Sequence, residues 1–303
     1  MNNQDKEKNF ISAVVYLGQE TGDVQGFFTE LTARLEEHFV QYELVVVEDC
    51  APAQALELLR EFAARQPKPL TILHMSLRQG VEQCMNAGLD ISIGDYVYEF
   101  DSTKMNWDSS LIWDAYRKAM EGNDIVNVCP SRSGGMSRLF YTLFNRYSGS
   151  AYRLRTEAFR LVSRRAINKV HAVSAYLPYR KAAYAASGLK MGTLEYEGQA
   201  GQTRDFDLGL NSLLLYTSAG YRVSFGITLT MLVLALVELI YTLAVTVAGH
   251  PIEGWTTTMF VITCGFSGLF AIMTLVVKYL SLILNTVFKK QQYFVESIEK
   301  IQK

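Results

Sequence analysis

Four cysteines in 303 residues, Cys50, Cys84, Cys129 and Cys264, stand far apart, and no pair has the spacing of a zinc or iron–sulfur ligand set. In a cytoplasmic domain they would stay reduced, so ordinary burial is the favoured use for them. A basic excess is missing too: 29 Lys and Arg against 30 Asp and Glu leave a formal net charge of -1. This argues against a dedicated nucleic-acid binder. Met1 to Asn9 lacks an apolar core behind a basic region, so it does not read as a signal peptide. Between Phe225 and Val277 charge almost disappears, with Glu238, His250 and Glu253 the potentially charged side chains. The chain therefore reads as a polar domain followed by a membrane domain.

The polar part alternates in type. Phe10 to Leu17, Glu43 to Val47, Leu70 to Met75, the stretch Gly94 to Phe100 and Asp124 to Cys129 are apolar runs of strand length. Helical patterns separate them: one ending near Phe39, then Ala51 to Arg65, Gln79 to Ile91 and Asp108 to Met120. Such alternation predicts an α/β fold with a mostly parallel sheet, and it places Glu20, Asp49 and Asp101 along one edge at the strand C-termini. Ligands in such sheets bind at that edge. A dinucleotide-binding first turn would read G-x-G-x-x-G; here only Gly18 and Gly22 are present, with Glu20 between them.

Beyond the sheet strands, Ser131 to Arg138 forms a basic, glycine-containing loop, and Arg153, Arg155, Arg160, Arg164 and Arg165 continue the positive bias. Paired arginines are usually merely solvated; the glycines and the place just after the sheet make an anion clamp an equal expectation. Leu210, Leu213, Leu214 and Thr217 recur at helical spacing, which suits a helix lying in a membrane interface, an ordinary core helix being the alternative. Phe225 to Ala248 and Thr256 to Val277 are each long enough to span a bilayer. Arg222 precedes the first span and Lys278, Lys289 and Lys290 follow the second, while the intervening turn has no Lys or Arg, which predicts a two-pass hairpin with both ends cytoplasmic. Glu238 within the first span should be neutral, face a partner helix or pair with a cation such as Lys278.

In this order, the motifs resemble those of the family 2 glycosyltransferases that act on polyprenyl phosphates, the group containing dolichyl-phosphate mannose synthase and bacterial undecaprenyl-phosphate glucosyltransferases. The resemblance spans almost the whole chain. Tyr16-Leu17-Gly18-Gln19-Glu20 keeps the final Glu of P-x-Y-N-E, and Val47-Glu48-Asp49-Cys50-Ala51 matches V-D-D-G-S. Asn86-Ala87-Gly88-Leu89 matches N-x-G-l, and Gly94-Asp95-Tyr96-Val97 with Asp101-Ser102-Thr103 matches G-D-Y-V and D-x-D. Ala158-Phe159-Arg160-Leu161 stands for D-F-R-L, Gln199 to Asp205 for R-x-G-E-S-K-Y, and Lys278-Tyr279-Leu280 and Tyr293 for the segments after the second span. Thr103, Ala158 and Gln199 depart from the pattern.

What the resemblance implies is a GT-A-like, Rossmann-type catalytic domain over residues 1–204, an interfacial segment over 205–224, a transmembrane hairpin over 225–288 and a cytoplasmic tail over 289–303. The implied reaction moves a sugar from a UDP- or GDP-sugar to a polyprenyl phosphate at a cytoplasm-facing membrane, such as a bacterial inner membrane, with inversion. Tyr16, Glu20, Asp49 and Asn86 are then expected at the nucleotide, and Arg132, Arg138, Arg160 and Arg204 at phosphates. Asp101, Arg138 and Arg160 become the expected catalytic residues. Asp101 is the expected ligand of Mg2+ or Mn2+, with Glu99, on the same side of the strand, or Thr103 as a further ligand. For Glu99, a buried acid paired to an arginine is the slightly favoured alternative. The partners implied are the donor, the polyprenyl phosphate and membrane lipids, and a homo-oligomer through the membrane helices is compatible. Rival readings are a catalytically reduced membrane scaffold and a glycosyltransferase with another lipid or a polymer as acceptor, although the Q-x-x-R-W of processive synthases is not found.

Overall fold

Eight strands form one sheet at the centre of the first of two units, which comprises Met1–Gly209 and Phe288–Lys303, while Leu210–Val287 form the second. This computed structural model describes residues 6–132, 141–142, 145–146, 152–173, 179–199, 219–249, 253–287 and 293–301. In chain order the elements of the first unit are β1 (Ile11–Leu17), α1 (Val24–His38), β2 (Tyr42–Glu48), α2 (Ala53–Arg65), β3 (Leu70–Met75), α3 (Val81–Ile91), β4 (Tyr96–Phe100), α4 (Leu111–Met120), β5 (Ile125–Arg132), β6 (Phe159–Ser163), α5 (Arg164–Val173), α6 (Arg180–Ala186), β7 (Met191–Gln199) and, after the second unit, β8 (Val295–Ile301).

The strands lie in the order β7-β5-β6-β4-β1-β2-β3-β8. β4-β1-β2-β3 and β5-β7 pair in parallel; β6 is antiparallel to both β4 and β5, and β8 is antiparallel to β3. The near-continuous apolar run of β1 follows from its central place, because helices cover both faces of the sheet. Ile11, Ala13, Val15 and Leu17 pack on one side with Phe28, Leu31, Leu59 and Ile112 of the α1, α2 and α4 layer. Val14 packs on the other side with Met85 and Leu89 of α3 and with Ala166 and Ile167 of α5. Each such fully buried aliphatic side chain contributes about 1.5–3 kcal/mol. Of the cysteines, Cys84 and Cys129 are buried as expected, whereas Cys50 and Cys264 are exposed.

Three strands escape the five apolar runs: β6, β8 and β7, which carries Glu195 and Glu197. β6 has Arg160 at its second position, and a buried charge in a central strand interrupts the apolar run by which the other strands announce themselves. β8 comes from the stretch read as a tail; as an edge strand with one face largely exposed it carries Glu296, Glu299 and Lys300, which suits an edge and disguises a strand. It is pinned by Glu299, which takes Arg60 at 2.8 Å and His74 at 3.1 Å. The other ring nitrogen of His74 lies 3.0 Å from Glu48.

The second unit is a pair of helices, α7 (Ala219–Ala248) and α8 (Trp255–Val287). Each contains a 22-residue window apolar enough to cross a membrane, Gly226–Val247 and Trp255–Val276. They touch along their length through Thr228 and Thr274, whose hydroxyls are 2.5 Å apart, and Thr246 and Thr256 at 3.0 Å. Glu238 lines a groove of about 270 Å³ together with Met231 and Ala235 of its own helix and Thr263, Phe266 and Ser267 of the other. The side chain of Lys278 and the residues Lys289 and Lys290 lie outside the described residues, as does most of the segment expected to be interfacial.

Candidate functional site

Parallel pairing of β2, β1 and β4 carries Glu20, Asp49 and Asp101 to the same edge, just beyond the strand C-termini. Asp49 is fully buried there. Its carboxylate accepts the backbone N–H of Gln79 at 2.8 Å, the N–H of Gly80 at 2.9 Å and the Tyr16 hydroxyl at 2.9 Å. Gly80 adopts φ +86°, a left-handed conformation that glycine takes without strain, and this turns its N–H toward Asp49. Cys50 turns the chain after Asp49 at φ 53°, which costs a non-glycine residue roughly 1–2 kcal/mol. Burial first, then the Asp49 charge, pushes the Tyr16 phenol far above its ordinary value, so it donates and stays neutral. Asn86 is buried in α3 and its amide donates to the Glu82 carbonyl at 2.8 Å, within its own helix.

At the end of β4 the loops interlock. The Gly22 N–H donates to the buried Thr103 hydroxyl oxygen at 3.0 Å, and a Cβ on Gly22 would lie 2.8 Å from the Thr103 carbonyl oxygen. Only glycine allows this approach. Lys104 follows directly, its ammonium 3.1 Å from Glu20, with the two side chains 54% and 81% exposed.

Asp101 sits over a buried network of ion pairs. Glu99 of β4 stands opposite Arg160 of β6 in the antiparallel register, and both side chains are buried. Arg160 reaches Glu99 at 3.2 Å, Asp101 at 3.2 Å and Glu157 at 3.1 Å. Arg180, wholly buried at the start of α6, spreads its guanidinium over Glu82 at 2.9 Å, Glu99, and Asp101 at 2.6 Å. Tyr184 donates its hydroxyl to Glu99 at 2.6 Å, and Lys181 lies 3.8 Å from Glu157. Burial works to raise the Asp101 carboxyl, but the charges of Arg180 and Arg160 outweigh it and hold that group well below the usual carboxylate range. Burial opposes the charge of Arg180 as well, and Asp101, Glu82 and Glu99 more than offset it.

Thus Glu99, Asp101 and Arg160 are brought together; Tyr16 and Asp49 form a second group on the same edge, and Arg132 ends β5 exposed. Arg138 and Arg204 lie outside the described residues. Glu82, Glu157, Arg180, Lys181 and Tyr184 were not legible as site residues. Their one signal is the acid Glu82 in the first turn of α3, and its partner Arg180 is 98 residues away.

These donors do not fit a divalent cation. Mg2+ and ions like it take about six oxygen ligands, several of them from the protein or its substrate. Both Asp101 oxygens already face a guanidinium, Glu99 is inaccessible and saturated by Arg160, Arg180 and Tyr184, and the Thr103 hydroxyl is buried against Gly22. Two fixed positive charges would repel an approaching cation.

A mostly parallel sheet, clothed on both faces and gathering its acids at one C-terminal edge, is a GT-A-like architecture. The chain belongs to glycosyl transferase family 2, whose model matches residues 25–187. It is 24% identical, over 97% of its length and 95% of the relative's, to the undecaprenyl-phosphate 4-deoxy-4-formamido-L-arabinose transferase of Edwardsiella ictaluri (strain 93-146). An uncharacterized glycosyltransferase of Bacillus subtilis (strain 168), YkcC, is 23% identical over 64% of this chain and 62% of that one. Among solved structures, a glucosyl-3-phosphoglycerate synthase from Mycobacterium tuberculosis in complex with Mn2+, uridine-diphosphate-glucose and phosphoglyceric acid superposes with a TM-score of 0.50, at 13% identity, covering 68% of this chain and 78% of that one.

Proposed function

We propose that this chain is a membrane-bound, inverting glycosyltransferase that moves a sugar from a UDP- or GDP-sugar to a polyprenyl phosphate on the cytoplasmic face. The observation that carries the reading is a family 2 sheet edge, with Asp49 and Asp101 in it, on a chain whose two membrane-length helices lie between strands of that same sheet. The order of the chain, with β7 before the helices and β8 after them in one sheet, supports a two-pass hairpin with both ends on one side. The polyprenyl-phosphate acceptor rests on the name of the Edwardsiella relative, aligned over almost the whole chain.

The chemistry asks little of the protein as an acid or base. A phosphate monoester has a second pKa of about 6, so the acceptor is already largely a dianion near neutrality. One of its oxygens attacks the anomeric carbon; the bond from that carbon to the donor diphosphate breaks, and the electron pair leaves with the nucleoside diphosphate. Asp49, with the Gln79–Gly80 turn it holds, and Tyr16 and Glu20 are assigned to the nucleoside. Arg132, Arg138 and Arg204 are assigned to phosphates. Asp101 and Arg160, fixed to each other, define the floor beneath the reacting carbon, and positioning of donor and lipid supplies most of the rate. The family likeness brings Mg2+ or Mn2+ with it as the expected cofactor; since the residues here do not fit one, these steps use the chain's own groups.

Incubating the purified full-length protein with a panel of UDP- and GDP-sugars, a polyprenyl phosphate and divalent metal should yield a glycosyl lipid. No turnover across the panel, or undiminished turnover by Asp101→Ala, would count against the proposal. The scaffold reading is favoured by one observation, the commitment of Asp101 to two arginines. It requires that no sugar nucleotide bind at all.

A further inference from the structure

We propose that this chain binds the diphosphate of its donor without a protein-held divalent cation, and that Lys104 supplies the positive charge in its place. The inference rests on the nucleotide-sugar reading above and goes beyond it in naming the group that meets the diphosphate.

Three observations converge on Lys104. The acid that would hold a metal is spoken for: Asp101 is bracketed by Arg160 and Arg180, whose own places are fixed by Glu82, Glu99 and Glu157. Asp101 therefore cannot turn to a cation without leaving two buried guanidiniums short of a carboxylate, a loss that buried pairs do not tolerate. Next, the position two residues on is a neutral hydroxyl, and it is locked by the Gly22 N–H. Finally, the residue after it is a cation on an anchored backbone: the Lys104 N–H donates to the Ser102 hydroxyl at 3.1 Å, and its Cα lies 3.0 Å from where a Gly22 Cβ would stand. Among the described residues its side chain pairs with Glu20, in an exposed contact of the kind that contributes little and exchanges partners readily. A diphosphate arriving at the sheet edge can take Lys104 from Glu20.

Titration calorimetry on the full-length protein in detergent, with UDP and GDP in EDTA and again in millimolar Mn2+, tests this. The expected result is an affinity for one nucleotide that changes less than about threefold between the two conditions and falls about tenfold or more in Lys104→Ala, the value of a charge-assisted hydrogen bond. Thr103→Asp, whose carboxylate can still accept the Gly22 N–H, should introduce an Mn2+ dependence that the natural chain lacks. Electron paramagnetic resonance of Mn2+ added alone gives an independent reading: Mn2+ that binds the natural chain and is lost in Asp101→Asn overturns the inference. A rise in nucleotide affinity of more than about tenfold with Mn2+ overturns it too, and leaves the nucleotide-sugar reading standing. An unchanged affinity in Lys104→Ala removes Lys104 from the role. Absence of nucleotide binding in every condition overturns both readings.

Discussion

Arg180→Met is the most informative perturbation of the buried network. Three cations, Arg160, Arg180 and Lys181, face four carboxylates, Glu82, Glu99, Asp101 and Glu157, and all but Asp101 have side chains 11% exposed or less. Methionine keeps most of the stem volume and removes the fork that satisfies three acids at once. Truncating one partner of a buried pair costs about 3–5 kcal/mol; here Glu82 loses its guanidinium, and Glu99 and Asp101 are left to share Arg160. That is a large share of a typical stability of about 5–15 kcal/mol. For a unit of this size it corresponds to a loss of roughly 6–20 °C in the melting midpoint. Lysine at the same position restores the charge without the fork, so Arg180→Lys should recover only part of it. The assay is thermal unfolding of the solubilised protein followed by tryptophan fluorescence, since the Trp107 ring packs tilted against Phe159, next to Arg160. The acid limb carries a second signature. The Asp101 carboxyl is held below its ordinary 3.8, so its contribution is complete above that pH and is lost as pH falls through the lower folded value. Without Arg180 the folded value rises, and the contribution shrinks and disappears at higher pH. A loss below about 1 kcal/mol, the range of an exposed pair, with an unmoved acid limb would refute the reasoning.

Other perturbations separate the parts of the edge. Asp49→Asn replaces an acceptor of three hydrogen bonds by a group with one acceptor oxygen, and should cost about 1–3 kcal/mol of stability and abolish nucleotide binding measured by calorimetry. Gly22→Ala drives a Cβ to 2.8 Å from the Thr103 carbonyl, so it should separate the two loops and weaken nucleotide binding while leaving the far-ultraviolet circular dichroism of the sheet unchanged. Glu299→Gln should cost less than about 1 kcal/mol, since its pair with Arg60 is partly exposed. Deleting residues 293–303 instead uncovers the whole β3 edge, and should appear in light scattering as aggregation.

The first half of the chain was readable because its physics is local. β1 to β5 are short apolar runs separated by helical periodicity, and parallel pairing then follows from chain connectivity, so Glu20, Asp49 and Asp101 could be placed on one edge from residue order alone. The two helices of membrane-spanning length were equally legible, because twenty-odd mostly apolar residues, with Glu238 the charge in the first, stand out in a sequence whatever surrounds them. β6, β7 and β8 were not, since Arg160, the acids of β7 and those of β8 break the hydropathy pattern. What Asp101 does was decided by tertiary structure. Its neighbours Arg160 and Arg180 lie 59 and 79 residues away, and those arginines are held in turn by Glu82 from α3 and Glu157 from the loop before β6. Sequence determined that an acid would stand at the end of β4; the folded chain determined that its charge would be met by arginine, because only folding brings those cations into contact with it in a place where water cannot screen them.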